Sequence, residues 1–143
     1  MNQTAGLLEA IAENAEMGKN TLEQILKMTN DAPLCAELKR QQDAYHELSN
    51  RVHVLMAACG SEVRGQTKWE KLVSHMAVCM ETIKDKSTPK LAEMLIQGSN
   101  MGILNCAKSR ADYPQADKNA QDLALELEKF QQDSIERLKP FLG

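Results

Sequence analysis

The feature that most constrains this chain is an apolar stripe interrupted by polar residues at its middle. From Leu34 onward, positions spaced four and three apart read Leu34, Leu38, Gln41, Tyr45, Leu48, Val52, Leu55 and Cys59. Residues at that spacing share one face of a helix, so the stripe is the seam of one long amphipathic helix. Gln41 and Tyr45 stand where leucine would pack best. A buried amide or phenol costs free energy unless it finds a hydrogen-bond partner. The seam therefore predicts a helical bundle with a polar layer inside it, and that layer is where the core points to function.

A length of 143 residues suits a single domain spanning 1–143. One Trp, two Tyr and two Phe are the only aromatics, so Leu, Met, Ala and Ile must build the core, which favours helices over a sheet. The net charge is −3 with acids and bases interspersed, and no basic face stands out as a nucleic-acid footprint. No apolar stretch approaches the roughly 20 residues of a membrane span. Met1 to Thr4 is not followed by a basic and then apolar run, so no signal peptide is expected. Cys35, Cys59, Cys79 and Cys106 lie far apart and form no CxxC pair. They read as reduced thiols of a cytoplasmic protein, not as a zinc site.

A first helix is expected over about 4–29, with Leu8, Ile11, Ala15, Gly18, Leu22 and Ile25 inward. Asn30 and Pro33 end it, and Asp31 with Pro33 starts a second helix over about 33–59, stopped by Gly60. The short link makes these two antiparallel neighbours. A shorter amphipathic helix is expected over about 67–84, with Trp69, Leu72, Val73, Met76, Met80 and Ile83 on one face. Thr88 and Pro89 then open a third long helix over about 89–111, read with the stripe Leu91, Leu95, Gly98, Gly102 and Asn105. Asp112-Tyr113-Pro114 breaks the chain before a fourth helix over about 115–138, with Ala116, Ala120, Leu123, Leu127, Phe130, Ser134 and Leu138 inward. The expected fold is all-α: an up-down four-helix bundle with one long crossover that carries an extra amphipathic helix. A crossover of that length lets the second and third long helices run parallel.

This layout, with the segment Gln97-Gly98-Ser99-Asn100-Met101-Gly102-Ile103 in the third long helix, resembles the ferritin-like superfamily and more closely its small bacterial members. The resemblance implies a site of carboxylates and imidazoles that holds two irons, with a Glu from each of two helices and a Glu-x-x-His from each of the other two. The sequence departs from that pattern. The fourth helix has no histidine, the third offers only Gln97 at its middle, and the nearest approach in the second is Asp43-Ala44-Tyr45-His46. A metal reading would have to use Glu37, Asp43 and His46 with Fe, Mn or Zn in an unusual shell.

The polar layer itself is expected to hold Gln41, Tyr45, Asn105 and Ser134, with Gln97 and Gln131 close to the seam. It serves either as a network that fixes helix register or as a small-molecule pocket beside Gly98, Gly102 and Tyr45. Glycine inside a helix costs about 1 kcal/mol relative to alanine, so something must offset Gly98 and Gly102. A flank of Asp43, His46, Asn50 and His53 reads as a solvated face or dimer contact, because His46 and His53 lie roughly 10 Å apart along the helix. The Trp- and Met-bearing crossover helix packs on its own bundle or forms a homodimer surface. No Gly-x-Ser-x-Gly turn or phosphate-binding glycine loop is present. The function expected is non-enzymatic: a scaffold or interaction protein of a bacterial cytoplasm, a homodimer or other homo-oligomer, without resident cofactor. A metal-binding ferritin-like protein and a small-molecule binder are the competing classes.

Overall fold

Short polar side chains start three of the long helices, one of them the Asp31 cap that the sequence calls for. The computed structural model describes residues 2–60 and 83–143. Within these, α1 spans Gln3–Leu26, α2 Ala32–Ala58, α3 Thr88–Asp112 and α4 Lys118–Leu138, and a 3-10 turn follows at Lys139–Leu142. The Asn2 side chain accepts from the Thr4 and Ala5 amides, Asp31 from Leu34 and Asp117 from Ala120. Each cap satisfies N–H groups that have no partner within the helix. Gly60, at φ +74°, ends α2 in the left-handed region that glycine adopts without strain.

Two helix starts differ from the sequence reading. Thr88 does not cap α3; the N-cap is Ser87, and the Thr88 hydroxyl instead donates to Asp31 Oδ2 (3.0 Å). The α4 helix begins at Lys118, because Pro114 to Ala116 form a turn before the Asp117 cap. At the other end of α1, helix stops at Leu26, and the Met28 and Thr29 amides bond back to the Ile25 carbonyl.

The helix directions follow from which ends meet. Asp31 and Thr88 place the starts of α2 and α3 side by side. Thr4 Oγ1 accepts from the Asp117 amide (2.9 Å), which places the starts of α1 and α4 together at the opposite end. The α2 and α3 helices therefore run parallel, and antiparallel to α1 and α4. The α1 helix packs chiefly on α2, and α3 chiefly on α4; α1 also meets α3 and α4, and α2 meets α4. This is a four-helix bundle with α2 and α3 on its long diagonal. The expected crossover helix at 67–84 lies outside the described residues except for Ile83 and Lys84, which are not helical. Trp69, Leu72, Val73, His75, Met76, Cys79 and Met80 lie outside them as well.

The core is the aliphatic set that the seams predict. On α1, Leu8, Ile11, Ala15, Leu22 and Ile25 are buried, and on α2 Leu34, Leu38, Leu48 and Val52. Each fully buried Leu or Ile contributes roughly 1.5–3 kcal/mol of transfer free energy. The seam of α3 differs from its expected course: it runs Leu91, Leu95, Ser99, Gly102 and Cys106. Gln97, Gly98 and Asn105 are exposed. A step of four from Leu95 reaches Ser99 and spares the bundle an Asn105 amide. The Cys106 thiol that takes the inward place bonds to the Ala124 carbonyl (3.3 Å).

Asp31 serves both α2 and α3, so its replacement removes more than an ordinary cap. Asp31→Ala is expected to lower stability in urea unfolding by about 1–2 kcal/mol, and Thr88→Val by less. Equal losses from the two variants would show that the cap itself contributes nothing.

Candidate functional site

The bundle interior carries a polar ladder between α2 and α4. Glu37, Gln41 and Tyr45 stand at four-residue spacing on α2, and Gln131, Ser134 and Arg137 at three-residue spacing on α4. The two helices run antiparallel, so Tyr45 meets Gln131 at one end and Glu37 meets Arg137 at the other.

At the Tyr45 end, all four helices contribute to one layer. Gln131 Nε2 donates to Asn14 Oδ1 of α1 (2.8 Å) and to the Tyr45 hydroxyl of α2 (3.2 Å). Asn14 Nδ2 donates in turn to the Gly102 carbonyl of α3 (2.9 Å). Close approach needs glycine at two places. A Cβ on Gly102 would lie 2.4 Å from Gln131 Nε2, and a Cβ on Gly18 would lie 2.4 Å from the Tyr45 ring. The Phe130 ring meets Tyr45 edge-on, with centroids 4.8 Å apart. Burial pushes the Tyr45 phenol up to about 12, against the pull of the Gln131 hydrogen bond, so the layer stays neutral across the physiological range.

At the other end, Glu37 is almost fully buried and charged. Arg40 donates to both of its oxygens, Gln41 Nε2 to Oε2 (2.8 Å) and Arg137 Nε to Oε1 (2.8 Å). Burial alone would raise this carboxyl; the hydrogen bonds from Arg40, Gln41 and Arg137 outweigh it and hold the group below the usual carboxylate range. Among the described residues, Gln131 Oε1 and Ser134 Oγ are the buried side-chain oxygens without a hydrogen-bond partner.

The structure thus brings Tyr45, Gly102 and Gln131 of the expected set into one layer, buries Gln41 and Ser134 further along the ladder, and separates the rest. Gly98 and Asn105 do not reach the layer, nor does Gln97. The Tyr45 ring seats on Gly18 instead of Gly98 or Gly102. Asn14 was missed because it lies beside the α1 seam, three residues after Ile11. Its signal is an amide at the height where Gly18 and Tyr45 meet. Asp43 and His46 are exposed on α2, away from Glu37, whose carboxylate is already held by Arg40 and Arg137. Those residues do not fit a shared metal, and no three His, Cys, Asp or Glu side chains converge among the described residues.

A cleft of about 480 Å³ opens between α2 and α4 on the far side of the ladder, lined by Glu47, Asn50, Arg51, Val54, Asn119 and Asp122 among others. The Arg51–Glu126 pair (2.6 Å) stands in solvent beside it. Inside the α3–α4 contact, burial and the neighbouring Glu128 push the Cys106 thiol up to about 12. It stays protonated and is no nucleophile at neutral pH. No helix among the described residues is long and apolar enough to cross a membrane. Comparisons with protein-family models, curated proteins and solved structures found no match.

Three expectations follow. Tyr45→Phe leaves a buried Gln131 donor without its acceptor and should cost about 1–2 kcal/mol in urea unfolding. Gly18→Ala should also destabilise, since overpacking costs about 1–3 kcal/mol and outweighs the better helix propensity; a stabilised Gly18→Ala would contradict the Tyr45 seat. The third concerns acid. Because Glu37 titrates lower in the folded than in the unfolded chain, its contribution is complete above the unfolded value and disappears as pH falls through the folded one. Glu37→Gln should therefore be less stable than wild type at neutral pH, with a gap that narrows below about pH 4. A gap that stays constant down to about pH 3 would rule this out.

Proposed function

We propose that the chain is a non-enzymatic helical scaffold or interaction protein, acting in the cytoplasm as a homo-oligomer. The observation that carries this reading is how the interior polar groups are used. Asn14, Tyr45, Gln131 and the Gly102 carbonyl bond to one another, and Glu37 is held by arginines on α2 and α4. Groups committed to one another in this way set helix register, and their donors and acceptors are already taken up by the protein's own contacts. The parallel α2–α3 pair joined by one long connection supports treating the fold as a ferritin-like shell whose ligand set has been replaced. The thiols of Cys35, Cys59 and Cys106 are unpaired, which suits a reducing compartment.

Elemental mass spectrometry of freshly purified, untagged protein tests the reading. The expected result is no stoichiometric Fe, Mn or Zn, with the same metal content and melting temperature in His46→Ala. Near-stoichiometric metal that His46→Ala loses would overturn it in favour of a metalloprotein.

A further inference from the structure

Helix α3 carries a surface unlike those of its neighbours. No charged residue stands between Glu93 and Lys108. The inner side of that stretch buries Leu95, Ser99 and Cys106; its outer side leaves Gln97, Gly98, Asn100, Met101, Leu104 and Asn105 exposed. Met101 and Leu104 are 59% and 54% exposed, among the most open large apolar side chains of the described residues. By contrast, the outer faces of α2 and α4 carry Lys39, Asp43, Glu47 and Arg51, and Lys118, Asp122, Glu126 and Lys129.

Gly98 sharpens the point. Gly6, Gly18 and Gly102 each have a Tyr ring or a Gln amide where a Cβ would go, so the fold itself requires glycine there. Among the described residues, a Cβ on Gly98 would meet nothing within 4 Å. The described helices therefore gain nothing from glycine at this position and lose about 1 kcal/mol of helix propensity relative to alanine. The compensating contact must come from outside the fold described above.

We propose that the outer face of α3 is a homotypic docking surface, on which a second copy of this chain lays its own α3 across Gly98. This rests on the interaction-protein reading and names its partner. Between copies of a chain of net charge −3, contact through a neutral patch adds no like-charge repulsion, and this is the longest neutral stretch on the described helices. Gln97, Asn100 and Asn105 each present both a donor and an acceptor, so under a two-fold axis the face is complementary to itself. Gly98 lets the two helix backbones approach closely, with Met101 and Leu104 packing on either side of the crossing. The face is roughly 22 Å long and about 10 Å wide, below the ~800 Å² per partner of a standard interface. The association is therefore weak and reversible.

Sedimentation velocity of the full chain, from micromolar to near-millimolar concentration, tests this with three proteins. Wild type should pass reversibly from monomer to dimer. Met101→Glu, which sets like charges against each other across the axis, should weaken association about ten-fold or more. Gly98→Leu should do the same while raising the melting temperature of the dilute monomer, so lost association is not lost folding. A wild type that stays monomeric throughout, or a dimer indifferent to both substitutions, would overturn the proposal. A photo-reactive side chain at Leu104 should cross-link to α3 of a second copy. Products confined to residues 61–82 of the same chain would overturn it too. A monomer without metal defeats the second-copy partner and the homo-oligomer with it, but not the non-enzymatic interaction reading; metal lost from His46→Ala defeats the interaction reading itself.

Discussion

The Gln131 amide directs both of its N–H donors to other helices, one to Asn14 of α1 and one to Tyr45 of α2, while it lies against Gly102 of α3. Much of the bundle's detail depends on that arrangement. The side chain reaches its partners only because Gly102 offers no Cβ, and Tyr45 reaches it only because its ring sits on Gly18. Asn14 completes the layer by donating to the backbone of α3. An aliphatic layer would tolerate a helix sliding by a fraction of a turn, because dispersion and burial are weakly directional. A hydrogen-bonded layer does not, since a shift of that size leaves buried polar atoms unpaired.

The charged end of the ladder adds to this constraint in a different way. Glu37 is buried and its carboxylate is held by hydrogen bonds from Arg40, Gln41 and Arg137. Such a group adds little net stability compared with an apolar residue of the same shape, but removing one partner exposes the cost of an uncompensated buried charge. The Arg51–Glu126 pair, in solvent, contributes little. Pairing across the ladder thus fixes the antiparallel match of α2 and α4 at two heights, while Asp31–Thr88 and Thr4–Asp117 fix the ends of the bundle.

Most of this fold was legible in the sequence. The seams of α1 and α2, the Asp31 cap, the Gly60 stop and the burial of Gln41, Tyr45 and Ser134 all follow from spacing and local chemistry. The course of α3 did not follow, and the reason is physical. Between Glu93 and Lys108 no charge marks the outer side, so periodicity could not distinguish a stripe through Gly98 and Asn105 from one through Ser99 and Cys106. Two glycines four residues apart looked like a pair, yet Gly102 answers to Gln131 and Gly98 to nothing inside the bundle. Asn14 stayed hidden because a residue at the edge of a seam turns inward only when a neighbouring helix supplies a partner, and that partner lies 117 residues away in the chain.

That separation bears on how the molecule assembles. The α1–α2 and α3–α4 hairpins each close over short turns, from contacts local in sequence, and such contacts form fast. The bonds of the central layer join residues 117, 86 and 88 positions apart, so none of them exists until one hairpin has docked on the other. Interactions completed after the rate-limiting barrier slow the return journey without hastening the outward one. An amide layer completed after that barrier lengthens the lifetime of the folded chain more than it speeds its formation.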